Sequence, residues 1–303
     1  MTKLHFHSDV QEAIENKQPV VALESTVITH GLPYPQNVET AVSMETAVKS
    51  GGATPATIAI LSGEIHIGLT REQIEYLGKQ PQENVHKCSR RNIPIAIGKK
   101  EHGATTVAGT MILAHQAGIS IFATGGIGGV HRGHPFDVSA DLQELSRTPV
   151  AVICSGAKSI LDLPATREVL ETNGVPILGY QTDMLPSFFS RSSGLSIDIR
   201  IEDAKEAANI IQSHQALSLQ NGLLITVPVP EAEACDPVMI EQAIQKATKE
   251  AEAAGVHGPE STPWLLSRIV DLTNGQSMRA NRALLQNNGF VAGQIAQSLT
   301  KLT

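Results

Sequence analysis

Short apolar runs alternate with longer segments of helical periodicity along this chain. The runs are rich in Val, Ile, Leu and Ala, and they predict strands at 20–23, 93–97, 119–123, 150–154, 176–180 and 223–227. Residues 57–69 predict a pair of strands joined at Ser62-Gly63. The segments between them repeat apolar residues every three or four positions. They predict helices at 9–17, 37–50 and 70–77, a helix that residues 102–107 lead into and that ends at about 116, and helices at 164–173, 203–219, 237–254, 261–273 and 278–300. A turn is predicted at 257–260. Strands that alternate with helices indicate the α/β class.

The composition agrees with a sheet covered by helices. Of 303 residues, 41% are hydrophobic but only 3% are aromatic. The core must therefore be built from the aliphatic residues that parallel sheets between helices use. The length fits two ordinary domains, although α/β folds often use it as one. Because no repeat, low-complexity segment or long linker divides the sequence, we expect a single domain over residues 1–303.

Charge and cysteine content narrow the possible partners and the compartment. The net charge of -7 argues against a general binder of nucleic acid or of membrane surfaces. The three cysteines contain no CxxC pair, which is typical of a reduced, cytoplasmic protein without a zinc site. No secretion signal is evident at the start of the sequence, and no apolar run approaches the ~20 residues of a membrane helix. We expect a soluble cytoplasmic protein.

One stretch, residues 121–158, concentrates candidate chemistry around a glycine-rich turn. It brings cations, carboxylates and a lysine close to two apolar runs: His131, Arg132, His134, Asp137, Asp141 and Lys158. The glycines do not complete a dinucleotide fingerprint, because a histidine stands where glycine is needed, and they lack the Lys-Ser/Thr of a P-loop. We interpret them as a tight turn whose N–H groups face an anionic ligand. His131 and His134 are candidate ligands or bases, with simple exposure as the alternative.

Asp137 and Asp141 are four residues apart and would share one face if this segment were helical. Hard cations such as Mg²⁺ or Mn²⁺ take oxygen ligands and often keep several waters, so one or two carboxylates suffice. Capping is the alternative, because Asp137 can cap a helix and residues 141–144 resemble a capping box. The pair alone does not support a metal site.

Lys158 and Glu24 both follow predicted strands, where α/β folds place ligand chemistry. Partial burial after the strand 150–154 would favour a neutral, nucleophilic amine on Lys158. An ion pair with Asp162 or exposure to solvent is the alternative. Glu24 follows the strand 20–23, and a capping or surface-pairing role is equally compatible with the sequence.

Two further segments are candidates for binding an anion. Lys87 opens the densest basic cluster, at 87–91, and is the preferred contact for phosphate or carboxylate in an acidic chain. Arg90 and Arg91 can simply pair with nearby acids. Small residues at 103–106 precede a helix, whose first N–H groups bind phosphate readily. The alternative there is a plain N-cap at Thr105 or Thr106.

Six motifs together resemble the pseudouridine-5'-phosphate glycosidase family, also described as indigoidine-synthase-A-like. They follow the family's order over nearly the whole chain: ESTVITHG at 24–31, GATPAT at 52–57, EHGATTVAGT at 101–110, TGGIGGVHRGHPFDVSAD at 124–141, AVICSGAK at 151–158 and NRALLQNN at 281–288. The resemblance implies an α/β/α sandwich with a largely parallel or mixed central sheet. It also implies reversible cleavage of the C–C glycosidic bond of pseudouridine 5'-phosphate to uracil and ribose 5-phosphate.

The resemblance also implies roles for individual residues and a cofactor. Lys158 matches the nucleophile that forms an imine at ribose C1', Glu24 the proton donor, and Asp137 the metal-linked aspartate. The positions that match substrate contacts are Lys87, Val107, Ser139, Ala140, Asp141 and, facing uracil, Asn281. Family members are homotrimers that use Mn²⁺, so one ion per subunit is expected here. Two other functions stay open: a Schiff-base aldolase acting on another sugar phosphate, and a non-catalytic protein that senses a phosphate ligand.

Overall fold

The computed structural model describes residues 3–256 and 261–302, and the turn predicted at 257–260 lies outside them. The strands are β1 Leu4–Phe6, β2 Val20–Leu23, β3 Thr54–Leu61, β4 Glu64–Ile67, β5 Val85–Cys88, β6 His102–Thr105, β7 Ile121–Ala123, β8 Val130–His131, β9 His134–Val138, β10 Ala151–Cys154, β11 Leu161–Asp162, β12 Ile177–Tyr180, β13 Ile199–Ile201 and β14 Leu223–Thr226. The α-helices are α1 Ser8–Glu15, α2 Gln36–Ser50, α3 Arg71–Gly78, α4 Ile93–Lys99, α5 Val107–Gln116, α6 Ala140–Leu145, α7 Leu163–Thr172, α8 Ala204–Ala216, α9 Pro237–Ala253, α10 Ser261–Leu272 and α11 Gln276–Thr300.

The central sheet is largely parallel. Its order is β1-β4-β3-β2-β7-β10-β14-β12-β13, and β6 and β5 continue from β3. Only the pairings of β3 with β4 and with β6 are antiparallel. The three central strands β2, β7 and β10 are neighbours and run in the same direction, with Phe122 of β7 opposite Ala22 and Val152. Their carboxyl ends therefore meet at one edge of the sheet, where α/β proteins bind ligands.

Helices cover both faces of this sheet. α11 lies across β2, β7 and β10 and packs against α2 and α8, whereas α5 packs against β7, β2, β3 and β6 from the other side. Close approach of α2 and α11 depends on two glycines. A Cβ on Gly51 would lie 2.3 Å from the carbonyl oxygen of Phe290, and one on Gly293 would lie 2.6 Å from that of Val48. α11 is thereby held against the strands that end at the site.

A small second sheet stands beside the central one. It consists of the antiparallel strands β11-β8-β9. All five residues of β9 are exposed, and Phe136 is 99% exposed. Among the strands of residues 3–256 and 261–302, β9 pairs only with β8. It therefore forms the outer strand of a hairpin that exposes large apolar side chains. No helix within residues 3–256 and 261–302 is both long and apolar enough to cross a membrane.

The predicted fold class is confirmed, since helices flank a central, largely parallel sheet, but the strand predicted at 93–97 is wrong. Residues 93–97 form the helix α4 and not a strand, because Ile93 and Ala96 are buried at helical spacing while Ile95 is 49% exposed. A short apolar run fits either element by pattern alone. Residues 102–105 form β6, which was not predicted as a strand, and the helix expected after them begins at Val107 and ends at Gln116.

Candidate active site

The candidate site lies at the carboxyl ends of β2, β7 and β10. Each strand delivers a polar residue immediately after its last apolar one: Glu24 after β2, Thr124 after β7, and Ser155 after β10. Because the strands are parallel neighbours, residues far apart in sequence meet here. Lys158 follows Ser155 three residues later and is half-buried.

Glu24 is held by two threonines. The hydroxyl of Thr26 donates a hydrogen bond to one carboxylate oxygen, and the hydroxyl of Thr124 donates to the other. One donor is local, and the other comes from the neighbouring strand. The carboxyl group is therefore fixed in orientation and does not cap the following turn.

Backbone hydrogen bonds connect the glycine-rich turn to the segment that carries Lys158. Ser155 N donates to Gly125 O at 2.8 Å, Ile127 N to Gly156 O at 3.1 Å, and Lys158 N to Ile127 O at 3.1 Å. Gly156 has a φ of +81°, and a Cβ there would lie 2.4 Å from the Pro186 carbonyl oxygen, so this position requires glycine. The bonds fix where the Lys158 side chain begins.

Asp141 closes the turn from the other side. It is 6% exposed, and its two carboxylate oxygens accept from backbone N–H groups, Ala108 N at 3.0 Å and Gly128 N at 2.8 Å. Ser139 is the N-cap of α6 and accepts from Asp141 N. Asp137 and Asp141 do not share a helix, because Asp137 lies on β9 and Asp141 in the first turn of α6.

Lys87 is electrostatically coupled to the other candidate residues. Burial lowers its pKa, and the positive charge of Lys158 lowers this pKa further, while Asp141 and Glu24 act in the opposite direction. The charges of Lys158, Asp141 and Glu24 therefore all act on Lys87. Lys87 reaches it from β5, which was not predicted as a strand.

The amine of Lys158 makes no hydrogen bond or ion pair with any residue in 3–256 or 261–302. The alternative partner Asp162 instead caps α7, where its Oδ1 accepts from Ala165 N at 3.0 Å. A half-buried amine without a counter-ion is available to react with a ligand.

His30 is a half-buried group near this site that sequence reasoning did not single out as functional. Burial lowers its pKa to about 4, and the charge of Lys87 contributes to the shift. Its Nδ1 lies 2.6 Å from the hydroxyl of Thr29. The imidazole is therefore neutral at physiological pH. His30 lies within the motif ESTVITHG, but its lowered pKa results from partial burial in the fold, which the motif alone does not show.

The remaining candidates for substrate contact, Val107, Ala140 and Asn281, differ in their exposure to solvent. Val107 is the first residue of α5 and is buried, with its N–H at the positive end of the helix dipole. Thr106 is the N-cap, as one alternative predicted, and accepts from Gly109 N. Ala140 is exposed at the start of α6, and Asn281 is half-buried on α11.

Several predicted cations have structural partners. Arg90 forms two hydrogen bonds with the buried carboxylate of Glu144, and Arg132 pairs with Glu241 while donating to the carbonyls of Ser159 and Leu161. Although burial alone would raise the pKa of Glu144, hydrogen bonds from Arg90 and Thr148 outweigh it, so the pKa is lowered. Neither arginine is a free anion contact.

A metal ion at Asp137 would have few protein ligands. The residue is exposed on β9, and within residues 3–256 and 261–302 no group of three or more His, Cys, Asp or Glu side chains is positioned to hold a metal. A caged structural metal does not fit this donor set. A largely hydrated Mn²⁺ or Mg²⁺ held by one carboxylate does, because such ions keep several waters.

Comparison with known proteins decides the family. The sequence model described as "Indigoidine synthase A like protein" matches residues 9–298. The chain belongs to this family. The resemblance inferred from the six motifs is thereby confirmed.

Similar proteins in this family have names that describe their activity. The chain is 52% identical over 301 residues to pseudouridine-5'-phosphate glycosidase from Clostridium botulinum, covering 99% of this chain and 98% of that protein. It is 51% identical to the protein of the same name from Escherichia coli, covering 99% and 96%. Among solved structures, a prealnumycin C-glycosynthase in complex with ribulose 5-phosphate superposes with a TM-score of 0.90 at 37% identity, covering 99% and 97%. An indigoidine synthase A-like protein from Thermotoga maritima gives 0.89 at 37% identity, with the same coverage.

Proposed function

We propose that this chain reversibly cleaves the C–C glycosidic bond of pseudouridine 5'-phosphate, consuming water and releasing uracil and ribose 5-phosphate. The observation that carries the proposal is the position of Glu24 and Lys158 beyond the carboxyl ends of β2 and β10, the parallel strands on either side of β7. The charges of both residues, together with that of Asp141, act on Lys87. Relatives about half identical over their full length bear the name of this activity.

The bond to be broken explains the need for an amine. An ordinary glycosidase protonates a leaving oxygen, but here the leaving atom is a carbon without a lone pair. The Lys158 amine forms a C–N bond at C1' as the ring oxygen leaves and takes up a proton. Cleavage of the C–C bond then leaves an imine on the sugar, and the bonding electron pair goes to C5 of uracil. Water hydrolyses the imine and regenerates the lysine.

Glu24 supplies the proton in this scheme. Carbon C5 of uracil takes up the electron pair and needs an acid within reach. The hydroxyls of Thr26 and Thr124 restrict the carboxyl group to one orientation, which supports a defined direction of proton transfer. Asn281 would face the uracil edge, because an amide both donates and accepts hydrogen bonds.

The phosphate and sugar would be bound by a mixed set of charges and backbone groups. Lys87 contributes a cation, and the N–H of Val107 lies at a helix N-terminus, where phosphate is favoured. Ser139, Ala140 and Asp141 line the turn on the opposite side. The local cations offset the net negative charge of the chain, which would otherwise repel the substrate.

We also propose one Mn²⁺ per subunit at Asp137, a homotrimer, a single domain over residues 1–303 and a cytoplasmic location. A bound ion would order water and charge around the sugar phosphate. Direct titration of Mn²⁺ into the wild type and into Asp137→Asn, followed calorimetrically, tests the metal position independently of turnover.

Full exposure of Phe136 on β9 supports an association surface, because large apolar side chains in contiguous exposed patches mark interfaces.

The test of the activity is release of free uracil from pseudouridine 5'-phosphate, with and without Mn²⁺. We expect wild-type protein to release uracil and Lys158→Ala to release none while its circular dichroism is unchanged. Lys99→Ala, at an exposed lysine, is the matched control and should retain activity. A Schiff-base aldolase would cleave another sugar phosphate and release no uracil. Thermal stabilisation by phosphate without turnover would instead indicate a ligand sensor.

A further inference from the structure

We propose that Asn288 is a positioning residue for this reaction, because it holds together the two strand ends that serve Glu24 and Lys158. The inference rests on the proposed roles of those two residues. Asn288 itself is fully buried and does not reach solvent, so it acts through its neighbours.

The side-chain amide of Asn288 bridges β7 and β10 from α11. Its Nδ2 donates to the Thr124 carbonyl oxygen at 2.8 Å and to the Ser155 hydroxyl at 3.1 Å. The Ser155 Oγ also lies 3.3 Å from Asn288 Oδ1, so both polar atoms of the Asn288 amide contact this hydroxyl. These contacts occur where the two strands end.

Hydrogen bonds connect each of the two bridged residues, Thr124 and Ser155, to the segment that carries a proposed catalytic group. The hydroxyl of Thr124 donates to Glu24, while Asn288 binds the carbonyl of the same threonine. Ser155 N begins the series of backbone hydrogen bonds that ends at Lys158 N. A shift of either strand end would therefore change the separation of the acid and the amine. Displacements of about 1 Å can cost 10²-fold in rate.

An amide suits this position better than the alternatives of similar size. Leucine would leave the Thr124 carbonyl and the Ser155 hydroxyl without this partner, and buried polar groups are costly when unpaired. Aspartate has nearly the same shape, but an ionised carboxylate only accepts hydrogen bonds and would face a carbonyl oxygen. The amide supplies both of the required donors.

The test compares Asn288→Asp and Asn288→Ala with the same changes at Asn287. Asn287 is the neighbouring, half-buried residue, and its amide makes one long hydrogen bond of 3.4 Å to the Pro228 carbonyl. We expect the Asn288 variants to lose about 10- to 100-fold in kcat per folded molecule, with KM nearly unchanged. Borohydride trapping of the Lys158 imine should slow in parallel. The Asn287 variants should match wild type in all three quantities.

A purely structural role would give a different result. If the Asn288 variants melt at a lower temperature but keep wild-type kcat and trapping rate per folded molecule, the inference is overturned. Should both variants fail to fold, Ser155→Ala removes one of the same hydrogen bonds and leaves the backbone hydrogen bonds intact. A loss of kcat and of trapping rate per folded molecule in Ser155→Ala would then support the inference, and wild-type values would overturn it. Wild-type protein that releases no uracil would overturn the proposed function itself, whereas active wild type with unaffected Asn288 variants overturns only the positioning role.

Discussion

His30 illustrates how much of a site depends on surroundings that the sequence does not reveal. The residue lies between Thr29 and a glycine and reads as an ordinary loop histidine. In the fold it is half-buried near Lys87, and its pKa is lowered from 6.5 to about 4 by this burial and by the charge of Lys87. The imidazole stays neutral throughout the range in which an exposed histidine takes up a proton.

This shift predicts an acid-sensitive contribution to stability. Between pH 6.5 and 4 the unfolded chain binds a proton at His30 and the folded chain does not, so the free energy of unfolding falls as the pH falls. The loss from this group is about 3 kcal/mol across that range. Urea unfolding of His30→Gln at several pH values should show a correspondingly smaller pH dependence.

The exposed His115 on α5 provides the control for this experiment. His115→Gln should leave the pH dependence of wild type in place, because its surroundings are solvent. Equal slopes for wild type and His30→Gln would show that His30 is not held neutral by the fold.

The sequence predicted the site residues that lie directly after strands and missed those that support them. Glu24 and Lys158 were recognisable because a charged residue follows an apolar run in each case. Thr124 and Thr26 were not singled out, because a threonine after a strand has many ordinary roles. The contact of Thr124 with Glu24 depends on the pairing of β2 with β7 across about a hundred residues, and the local sequence pattern does not show that pairing.

Among the secondary-structure elements, the most accurately predicted were those with long, regular periodicity. α2, α9 and α11 were predicted nearly to their ends, as were β2 and β10. The segment at 93–97 was misassigned because five apolar residues fit a strand or a helix equally well. β5 was missed because Val85-His86-Lys87-Cys88 carries polar residues on its half-buried positions.

The hairpin of β8 and β9 gives a prediction at the scale of an element. Phe136 projects fully into solvent from a strand that pairs only with β8. If copies of the chain associate through it, Phe136→Ser should weaken association by about tenfold or more, since burying such a side chain contributes about 1.5–3 kcal/mol. Sedimentation over a range of protein concentrations measures the change.

Ile199 on β13 is the matched control, because it is also a large exposed apolar residue on an edge strand. Ile199→Ser should leave the sedimentation behaviour and the melting temperature unchanged. Phe136→Ser that sediments like wild type would exclude the hairpin as the association surface.

At the scale of the whole molecule, the site is assembled from nearly the full length of the chain. Its parts come from Glu24 near one end, the turn and lysine in the middle, and α11 near the other end. Six motifs in family order indicated this from the sequence, and the family match over residues 9–298 agrees with it. The single domain, the trimer, the manganese ion and the individual residue roles stay predictions.

The most direct test of the central claim is covalent trapping at Lys158. Wild-type protein is incubated with ribose 5-phosphate, reduced with borohydride and digested, and the peptides are examined by mass spectrometry. The account predicts a reduced sugar-phosphate adduct on Lys158 and none on Lys158→Ala. An unlabelled wild type, or an adduct on Lys87 in place of Lys158, would contradict it.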